Sequence, residues 1–281
     1  MHAQKMSFIG ASVDYNSARF VIIGVAYDAS SSFRPGARYA PRALREVSEN
    51  FEEYLYEYDL DIKDARVHDL GTISHCTSGE DVVETVYTEL LPIVRDKKVP
   101  ILIGGEHTIA IGGYRAVRAV HKDAIAVVFD AHSDMRDEYL GDRYSHACTV
   151  RRMMEHGDVL CVGVRSFFGG EGEFEYYTSE DVMNNGIGAV LEKLEDFEKI
   201  YLSVDMDVID PAYAPGVGNP EPYGIPPSLL REFILSVAEK IVAMDICEIN
   251  PVYDNGITAI LGAKIILDFI GAKCYGEMMR R

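Results

Sequence analysis

Short, continuous apolar runs alternate with longer amphipathic stretches along most of this chain. The runs are rich in valine and isoleucine, as is typical of strands buried on both faces of a parallel sheet. They lie at residues 20–26, 99–103, 124–129, 159–165, 201–207 and 241–251. Between them, apolar residues recur at helical spacing, most clearly over residues 79–95. The alternation predicts one domain over residues 1–281, an α/β fold with three layers (α/β/α) and a mostly parallel central sheet.

Other segments give a weaker pattern. Residues 50–76 are acidic and rich in tyrosine, and they predict a strand pair or an irregular excursion. The glycine-rich and aromatic residues 166–181 predict a surface loop or a short helix, with a further short strand at Ile187. Additional helices are expected over residues 40–45, 108–120, 190–197, 227–241 and 258–270.

Polar side chains cluster where the strand at residues 124–129 ends. Asp130 and His132 are two residues apart and would share one face of the extended chain, and Asp134 lies within reach as the chain turns. Carboxylate oxygens mixed with imidazole suit a manganese, iron or zinc ion. The same residues could instead cap the helix that follows, and this block alone does not separate the two interpretations.

Two other strands add side chains of the same type. Asp205 and Asp207 also stand two apart at a strand end, where ionised carboxylates would repel each other strongly without a cation. His107 follows a strand and a glycine turn. Parallel strands bring their carboxyl ends to one edge of a sheet. Six ligands exceed a closed zinc site and suit two bridged metals roughly 3.5–4 Å apart. The six candidates are His107, Asp130, His132, Asp134, Asp205 and Asp207.

Three sequence blocks resemble the signature motifs of the ureohydrolase family (arginases, agmatinases and relatives), in the family's order. They are Gly-Gly-Glu-His at 104–107, Asp-Ala-His-Ser-Asp at 130–134, and the stretch from Ser203 to Gly216. Three ordered blocks are a specific signal, whereas one alone is weak. The resemblance covers about Val21 to Gly271. It implies an arginase/deacetylase-like fold, two Mn(II) ions per chain, and a homo-oligomer that is a trimer or a hexamer.

The resemblance also implies a reaction, the hydrolysis of a guanidino compound to urea and an amine. Two bridged metals would lower the pKa of a shared water, and the resulting hydroxide would attack the guanidinium carbon. Asp130 and Asp205 are the expected bridging ligands, and Asp134 would also orient the hydroxide.

Two further residues match the family's substrate-handling positions. Glu248 aligns with the glutamate that holds the guanidinium group, for which a carboxylate is a suitable partner. His146 matches the histidine that lies beside the substrate and would protonate the departing amine. The alternatives are a structural strand-end glutamate and a helix-capping histidine. Asp245 is three residues before Glu248, would face the other way along a strand, and is therefore not a candidate.

The loop after Asp134 bears on the tail of the substrate. Arginases carry Asn and Ser groups there that bind an amino-acid carboxylate, whereas residues 136–139 read Arg-Asp-Glu-Tyr, followed by Tyr-Ser-His-Ala, as in agmatinase-like members. The resemblance and the acidic loop favour agmatine, giving putrescine and urea. Aminopropylagmatine, guanidinobutyrate and arginine are alternatives. Asn219 and Tyr223 replace the usual threonine and glycine and could touch substrate, so Asn219 is a candidate substrate-binding residue.

Two hypotheses belong to other classes of protein. A metal-dependent, deacetylase-like amidohydrolase shares the Asp-x-His motif but needs one zinc ion, and the second carboxylate pair with His107 argues against it. A non-catalytic relative would be expected to have lost metal ligands, and all six are present.

The composition of the chain restricts the expected binding partners and the expected location in the cell. The 45 acidic and 27 basic residues give a net charge of −18, which disfavours nucleic acid and anionic membranes as partners. Such a charge would raise the local concentration of a cationic substrate or a divalent metal, and it is explained equally well by solubility or by adaptation to the interior of the host. No apolar run is long enough to span a bilayer, and residues 1–10 lack the apolar core of a secretory signal. We therefore expect a cytoplasmic protein. The five cysteines are scattered and should be reduced, mostly buried thiols.

Overall fold

Eight parallel strands form the centre of the computed structural model, which describes residues 6–278. The strands of the chain are β1 (Phe20–Val25), β2 (Tyr54–Leu55), β3 (Leu60–Asp61), β4 (Val67–Ile73), β5 (Val99–Ile103), β6 (Ile125–Phe129), β7 (Val159–Val164), β8 (Glu175–Thr178), β9 (Ile200–Asp205) and β10 (Ile241–Cys247). The order across the sheet is β4-β1-β5-β10-β9-β6-β7-β8. Strands β2 and β3 form a separate antiparallel pair.

Helices cover both faces of the sheet. They are α1 (Ala40–Ser48), α2 (Gly79–Arg95), α3 (Ile109–Val120), α4 (Thr149–Met153), α5 (Ser179–Asn185), α6 (Gly188–Lys193), α7 (Pro227–Val237) and α8 (Ile257–Met278). Helices α2, α3 and α4 pack in series, and α1 and α7 both pack against α8. Alternate residues of β1 belong to different hydrophobic clusters. Phe20 and Ile22 share a cluster with Phe233 of α7 and Phe269 of α8, whereas Ile23 belongs to the cluster that includes residues of α2. The predicted three-layer α/β/α fold is therefore confirmed.

The strands that lead to the predicted metal ligands and to Glu248 are neighbours. Strands β5, β10, β9 and β6 occupy consecutive positions in the middle of the sheet. Their register is close, because Phe129 at the end of β6 pairs with Val204 of β9, and Cys247 of β10 pairs with Asp205. Residues just beyond these strands are thus brought together at one edge, where α/β sheets commonly place their sites.

The sequence pattern identified the central elements and missed parts of the periphery. Helix α2 has the predicted bounds. The edge strand β8 lies inside the segment predicted as a loop or short helix, because its residues are exposed or half-buried and show no apolar run. Ile187 is not in a strand; it immediately precedes helix α6. Helix α7 ends at Val237, since Ile241 begins strand β10.

The cysteines behave as predicted. All five are free, and four are buried. Within residues 6–278, no helix is both long and apolar enough to cross a bilayer. The two ends of the predicted domain, residues 1–5 and 279–281, lie outside the described residues, and so does the first half of the N-terminal segment considered for targeting.

Candidate metal centre and substrate pocket

The imidazole of His107, which follows β5, points into a group of buried carboxylates. Its Nδ1 atom lies 3.0 Å from Oδ2 of Asp130, 3.0 Å from Oδ2 of Asp134 and 3.6 Å from Oδ2 of Asp205. None of these four residues is more than 8% exposed. Carboxylates crowded this closely and shielded from water repel one another unless a positive charge lies among them.

Hydrogen bonds behind His107 determine which ring nitrogen carries the proton. The Ser203 hydroxyl donates its single hydrogen to Asp245 at 2.9 Å, and Tyr201 donates to the other Asp245 oxygen at 2.6 Å. The Ser203 oxygen, 3.0 Å from Nε2 of His107, must therefore accept, so that Nε2 carries the proton. With a metal bound, the neutral ring would direct its Nδ1 lone pair to the side of Asp130 and its neighbours. That arrangement is unfavourable alone and is the one a metal ligand adopts.

His132 and Asp207 form a second group that shares Asp130. Nδ1 of His132 lies 2.9 Å from Oδ2 of Asp207 and 3.7 Å from Oδ1 of Asp130. The His132 backbone N–H donates to Asp130 at 2.6 Å and so fixes the loop. Among the described residues, three sets of potential ligand atoms lie within 4.8 Å of one another. One joins His107 to Asp245 and Cys247, behind the ring. The other two are His107 with Asp130 and Asp205, and Asp130 with His132 and Asp207. Asp130 belongs to both sets, as a bridging ligand would.

The buried carboxylates of this cluster would be stabilised by bound cations. Burial and the negative charge of Asp130 raise the pKa of Asp134 to about 7. Burial and the charges of Asp207 and Asp130 raise the pKa of Asp205 well above its usual range. Oδ2 of Asp130 is buried without a hydrogen-bond partner among the described residues, although unpaired buried oxygens cost free energy. Four carboxylates and two imidazoles in this arrangement fit two divalent ions.

Two acidic residues of the site have left-handed backbone conformations. Asp134 has φ 47° and Glu248 has φ 59°, and such strained residues concentrate at functional sites. Glu248 lies just past β10, where strand alternation no longer sets the direction of a side chain. Its backbone N–H donates to the Gly105 carbonyl at 2.8 Å, and its Oε1 accepts the His107 backbone N–H at 2.8 Å.

A cavity of about 230 Å³ opens beside the cluster, and Glu248 lines it together with Asp134, Asp205, Asp207 and His132. Glu248 belongs to none of the ligand sets and forms no ion pair with a residue that the structure describes. Surrounding protein and the charge of Glu106 raise its pKa well above the usual range, so a cation bound there would be strongly favoured. A carboxylate can hold a planar guanidinium through two hydrogen bonds.

His146 also lines this cavity, from the loop before α4. Desolvation by the surrounding protein is the main cause that lowers the pKa of His146 to about 4. The ring is therefore neutral near pH 7 and able to accept a proton. Its Nδ1 lies 3.0 Å from the hydroxyl of Ser30, which in turn lies 2.6 Å from Glu106.

Asn219 and Tyr223, the two positions where the sequence departs from the family pattern, have different surroundings in the structure. Asn219 lines the cavity, and its amide nitrogen lies 2.9 Å from Nε2 of His132. It thus contacts a predicted metal ligand as well as the pocket. Tyr223 is 89% exposed and does not line this cavity, so the expectation that it touches substrate is not supported by its position.

The lining of the cavity also includes basic and aromatic residues. Arg34 stacks on Phe33 at 4.9 Å, and Arg136 stacks on Phe168 at 4.4 Å. Neither arginine forms an ion pair with any residue in the 6–278 range. The acidic residue next to Arg136, Asp137, is exposed and pairs with Arg152 instead. The acidic loop therefore supplies no carboxylate to the cavity, which removes one of the two arguments for an amine tail.

Four residues of the site were not identified from the sequence: Ser30, Glu106, Ser203 and Asp245. Glu106 and Ser203 lie inside the signature blocks, and this position was the only feature of the sequence that could have indicated a role in the site. Asp245 was set aside because strand alternation placed it opposite Glu248. It does face away from the cavity, but there it holds Ser203 against His107.

Comparison with known proteins agrees with this geometry. A model of the arginase family matches residues 18–271. The chain is 32% identical over 270 residues to an agmatinase of Pyrococcus horikoshii, covering 92% of this chain and 93% of the relative. It is 34% identical over 274 residues to an N(1)-aminopropylagmatine ureohydrolase of Thermococcus kodakarensis, covering 92% of each chain. The crystal structure of the agmatine ureohydrolase of Thermoplasma volcanium has a TM-score of 0.96 and 36% identity, covering 100% of this chain and 98% of that one.

Proposed function

Because the chain belongs to the arginase family, we propose that it is a binuclear manganese ureohydrolase that converts agmatine to putrescine and urea. The observation that carries this proposal is the position of Glu248 in the same cavity as two overlapping sets of metal-type ligands. Within residues 6–278 this carboxylate has no cationic partner. A guanidinium group held by Glu248 would lie beside the place where two metals activate water.

The residues proposed to hold the metals are those predicted from the sequence. Asp130 is shared by the two sets and is the first candidate for a bridge, with Asp205 beside it in the sheet. Mixed carboxylate and imidazole donors suit Mn(II). When bound, two such ions lower the pKa of water so that hydroxide forms near neutral pH. The proposed ligands are His107, Asp130, His132, Asp134, Asp205 and Asp207.

Three side chains bind the substrate, orient the water and transfer the proton. Glu248 binds and orients the guanidinium. Asp134 accepts a hydrogen bond from the attacking water and directs it towards the guanidinium carbon. His146, neutral at pH 7, takes up a proton and delivers it to the nitrogen that leaves. The products are urea and an amine.

The substrate could carry either an amine or a carboxylate at the end away from its guanidinium group. The printed names of the relatives, agmatinase and N(1)-aminopropylagmatine ureohydrolase, support a cationic amine tail. Arg34 and Arg136, which line the cavity without a carboxylate partner in the described part of the chain, favour a carboxylate tail such as that of guanidinobutyrate. The second candidate is therefore a guanidino-acid ureohydrolase with the same metal centre.

Urea release from manganese-loaded protein tests both candidates. Agmatine, aminopropylagmatine, guanidinobutyrate and arginine are assayed side by side at equal concentration. Turnover of agmatine without arginine supports the first proposal. Preference for guanidinobutyrate, together with its loss in Arg136→Gln, selects the second. Protein that binds two metals and releases no urea from any of the four contradicts both.

The proposal includes a cytoplasmic homo-oligomer, a trimer or a hexamer, in which residues 1–281 form one ureohydrolase domain. Light scattering coupled to size-exclusion chromatography measures the number of chains. A monomeric mass would contradict this part of the proposal and leave the chemistry unaffected.

A further inference from the structure

The hydroxyl of Ser30 connects His146 to a buried carboxylate that has no part in the reaction proposed above. Ser30 lies in the loop after β1, 116 positions from His146. Its Oγ lies 2.6 Å from Oε1 of Glu106 and 3.0 Å from Nδ1 of His146, and it accepts the His146 backbone N–H at 3.0 Å. Glu106 is fully buried, and its Oε2 accepts the Ser30 backbone N–H at 2.9 Å. One serine therefore holds both the main chain and the ring of His146.

The number of hydrogens and lone pairs restricts this arrangement. A serine hydroxyl has one hydrogen to donate and two lone pairs that accept. Glu106 receives the hydrogen and the His146 backbone N–H occupies one lone pair, so Ser30 can only accept from Nδ1. This contact, at 3.0 Å, is shorter than the 3.4 Å between Nδ1 and the Ser145 hydroxyl. This count applies to an ionised Glu106, whose Oε1 also accepts the Thr108 hydroxyl at 2.9 Å.

We propose that Ser30, supported by Glu106, is a positioning residue that keeps the proton of the neutral His146 ring on Nδ1 and its lone pair on Nε2. Nδ1 faces Ser30, and Nε2 is the ring nitrogen left for the cavity that His146 lines. The opposite tautomer would present a hydrogen at Nε2 and could not accept a proton there.

The chemical consequence rests on the proposed ureohydrolase function. Nε2 accepts a proton from the attacking water as oxygen bonds to the guanidinium carbon. It then gives that proton to the nitrogen whose bond to this carbon breaks, and the hydrogen left on the attacking oxygen passes to the released amine as the C=O of urea forms. Nδ1 keeps its hydrogen throughout. One water is consumed, and the cationic guanidinium yields neutral urea and a protonated amine.

Kinetics of two substitutions at one position test the role of the hydroxyl. Ser30→Ala removes it and Ser30→Thr retains it. With manganese-loaded protein and agmatine, we expect Ser30→Ala to lower kcat by about 10- to 100-fold, a part of the roughly 10²–10⁴ that general acid–base catalysis supplies. KM should change by less than about twofold, two metals should remain bound, and Ser30→Thr should recover most of the kcat.

A second substrate and a control variant separate positioning from loss of structure. The guanidinooxy analogue of agmatine has a far less basic leaving nitrogen, so it needs little proton donation, and the Ser30→Ala defect should shrink to less than about threefold. Ser48→Ala is the matched control, since Ser48 is a buried serine of α1 that accepts the Ile9 N–H at 3.0 Å. It should lower Tm without changing kcat.

The tautomer can be read without any turnover. Protein with ¹⁵N-labelled histidine is loaded with diamagnetic zinc, and the His146 signals are assigned with His146→Asn. We expect Nδ1–H in the wild type and in Ser30→Thr, and loss of that preference in Ser30→Ala. Nε2–H in the wild type, or wild-type kcat in Ser30→Ala, would overturn the proposal. Wild-type protein inactive on every guanidino substrate would refute the proposed function instead, and the NMR result would still decide the role of Ser30.

Discussion

Asp134→Asn should make the metal-free protein more stable than the wild type and the metal-loaded protein less stable. Burial and the charge of Asp130 raise the pKa of Asp134 from 3.8 to about 7, so the folded state keeps a proton that the unfolded chain releases. Asparagine has nearly the same shape, carries no charge and tolerates the left-handed backbone (φ 47°) at this position. The substitution thus removes an electrostatic cost without opening a cavity.

The size of the effect depends on pH. Below about pH 4 the carboxyl is protonated in both states and costs nothing. As the pH rises, the unfolded chain ionises first, and stability is lost until the pH passes the folded pKa near 7. With about 1.4 kcal/mol for each tenfold change in protonation, the cost is about 2 kcal/mol at pH 5 and about 4 kcal/mol at pH 8. At roughly 2–4 °C for each kcal/mol, the advantage of the variant in Tm should grow by about 5 °C between these pH values.

Thermal unfolding followed by circular dichroism measures this directly. Chelator-treated wild type and Asp134→Asn are compared at pH 5 and pH 8, and the pH 8 pair is repeated with excess manganese. We expect the order of the two Tm values to reverse with metal, because the variant lacks a proposed ligand. Asp64→Asn, at an exposed carboxylate, should leave Tm unchanged in all conditions. A metal-free Asp134→Asn that melts at or below the wild type at pH 8 would refute the argument from crowded charges.

Three further predictions concern the proposed chemistry. Glu248→Gln keeps an acceptor for the His107 N–H but removes the charge, so kcat/KM should fall by about 10²-fold with metal content unchanged; loss of metal would instead place Glu248 among the ligands. His146→Asn should lower kcat for urea release by about 10²–10⁴-fold, and the variant should still bind two metals per chain. An unchanged kcat would exclude proton transfer by this residue. Manganese at 100 times its Kd should stabilise the chelated wild type by about 2.7 kcal/mol, seen as a rise in Tm of about 5 °C or more; no rise would contradict a folded-state metal site.

The central strands and most of the site could be predicted because two simple periodicities coincide there. Residues two apart at a strand end share a face, which placed Asp130 with His132 and Asp205 with Asp207. Parallel strands then bring such pairs to one edge of the sheet, and the structure indeed places β5, β10, β9 and β6 side by side. Continuous apolar runs also mark the interior strands, since a strand buried on both faces leaves little choice of residue.

The remaining features depend on contacts that no local pattern records. Ser30 reaches His146 across 116 positions of sequence, and neither periodicity nor composition connects a loop serine to a loop histidine. Asp245 acts through Ser203, on the side of the sheet away from the cavity. The acidic character of residues 136–139 was a misleading guide, because side-chain direction decides which charges line the cavity: Arg136 faces it, whereas Asp137 pairs with Arg152.

The most direct test of a binuclear ureohydrolase is the rate of urea release during titration of metal-free protein with manganese. The substrate is whichever guanidino compound the wild type turns over fastest, and bound metal is measured in the same samples. We predict that the rate rises until two manganese ions are bound per chain and then stays constant. A plateau at one ion per chain, or a rate independent of metal, would contradict the two overlapping ligand sets on which the proposed mechanism depends.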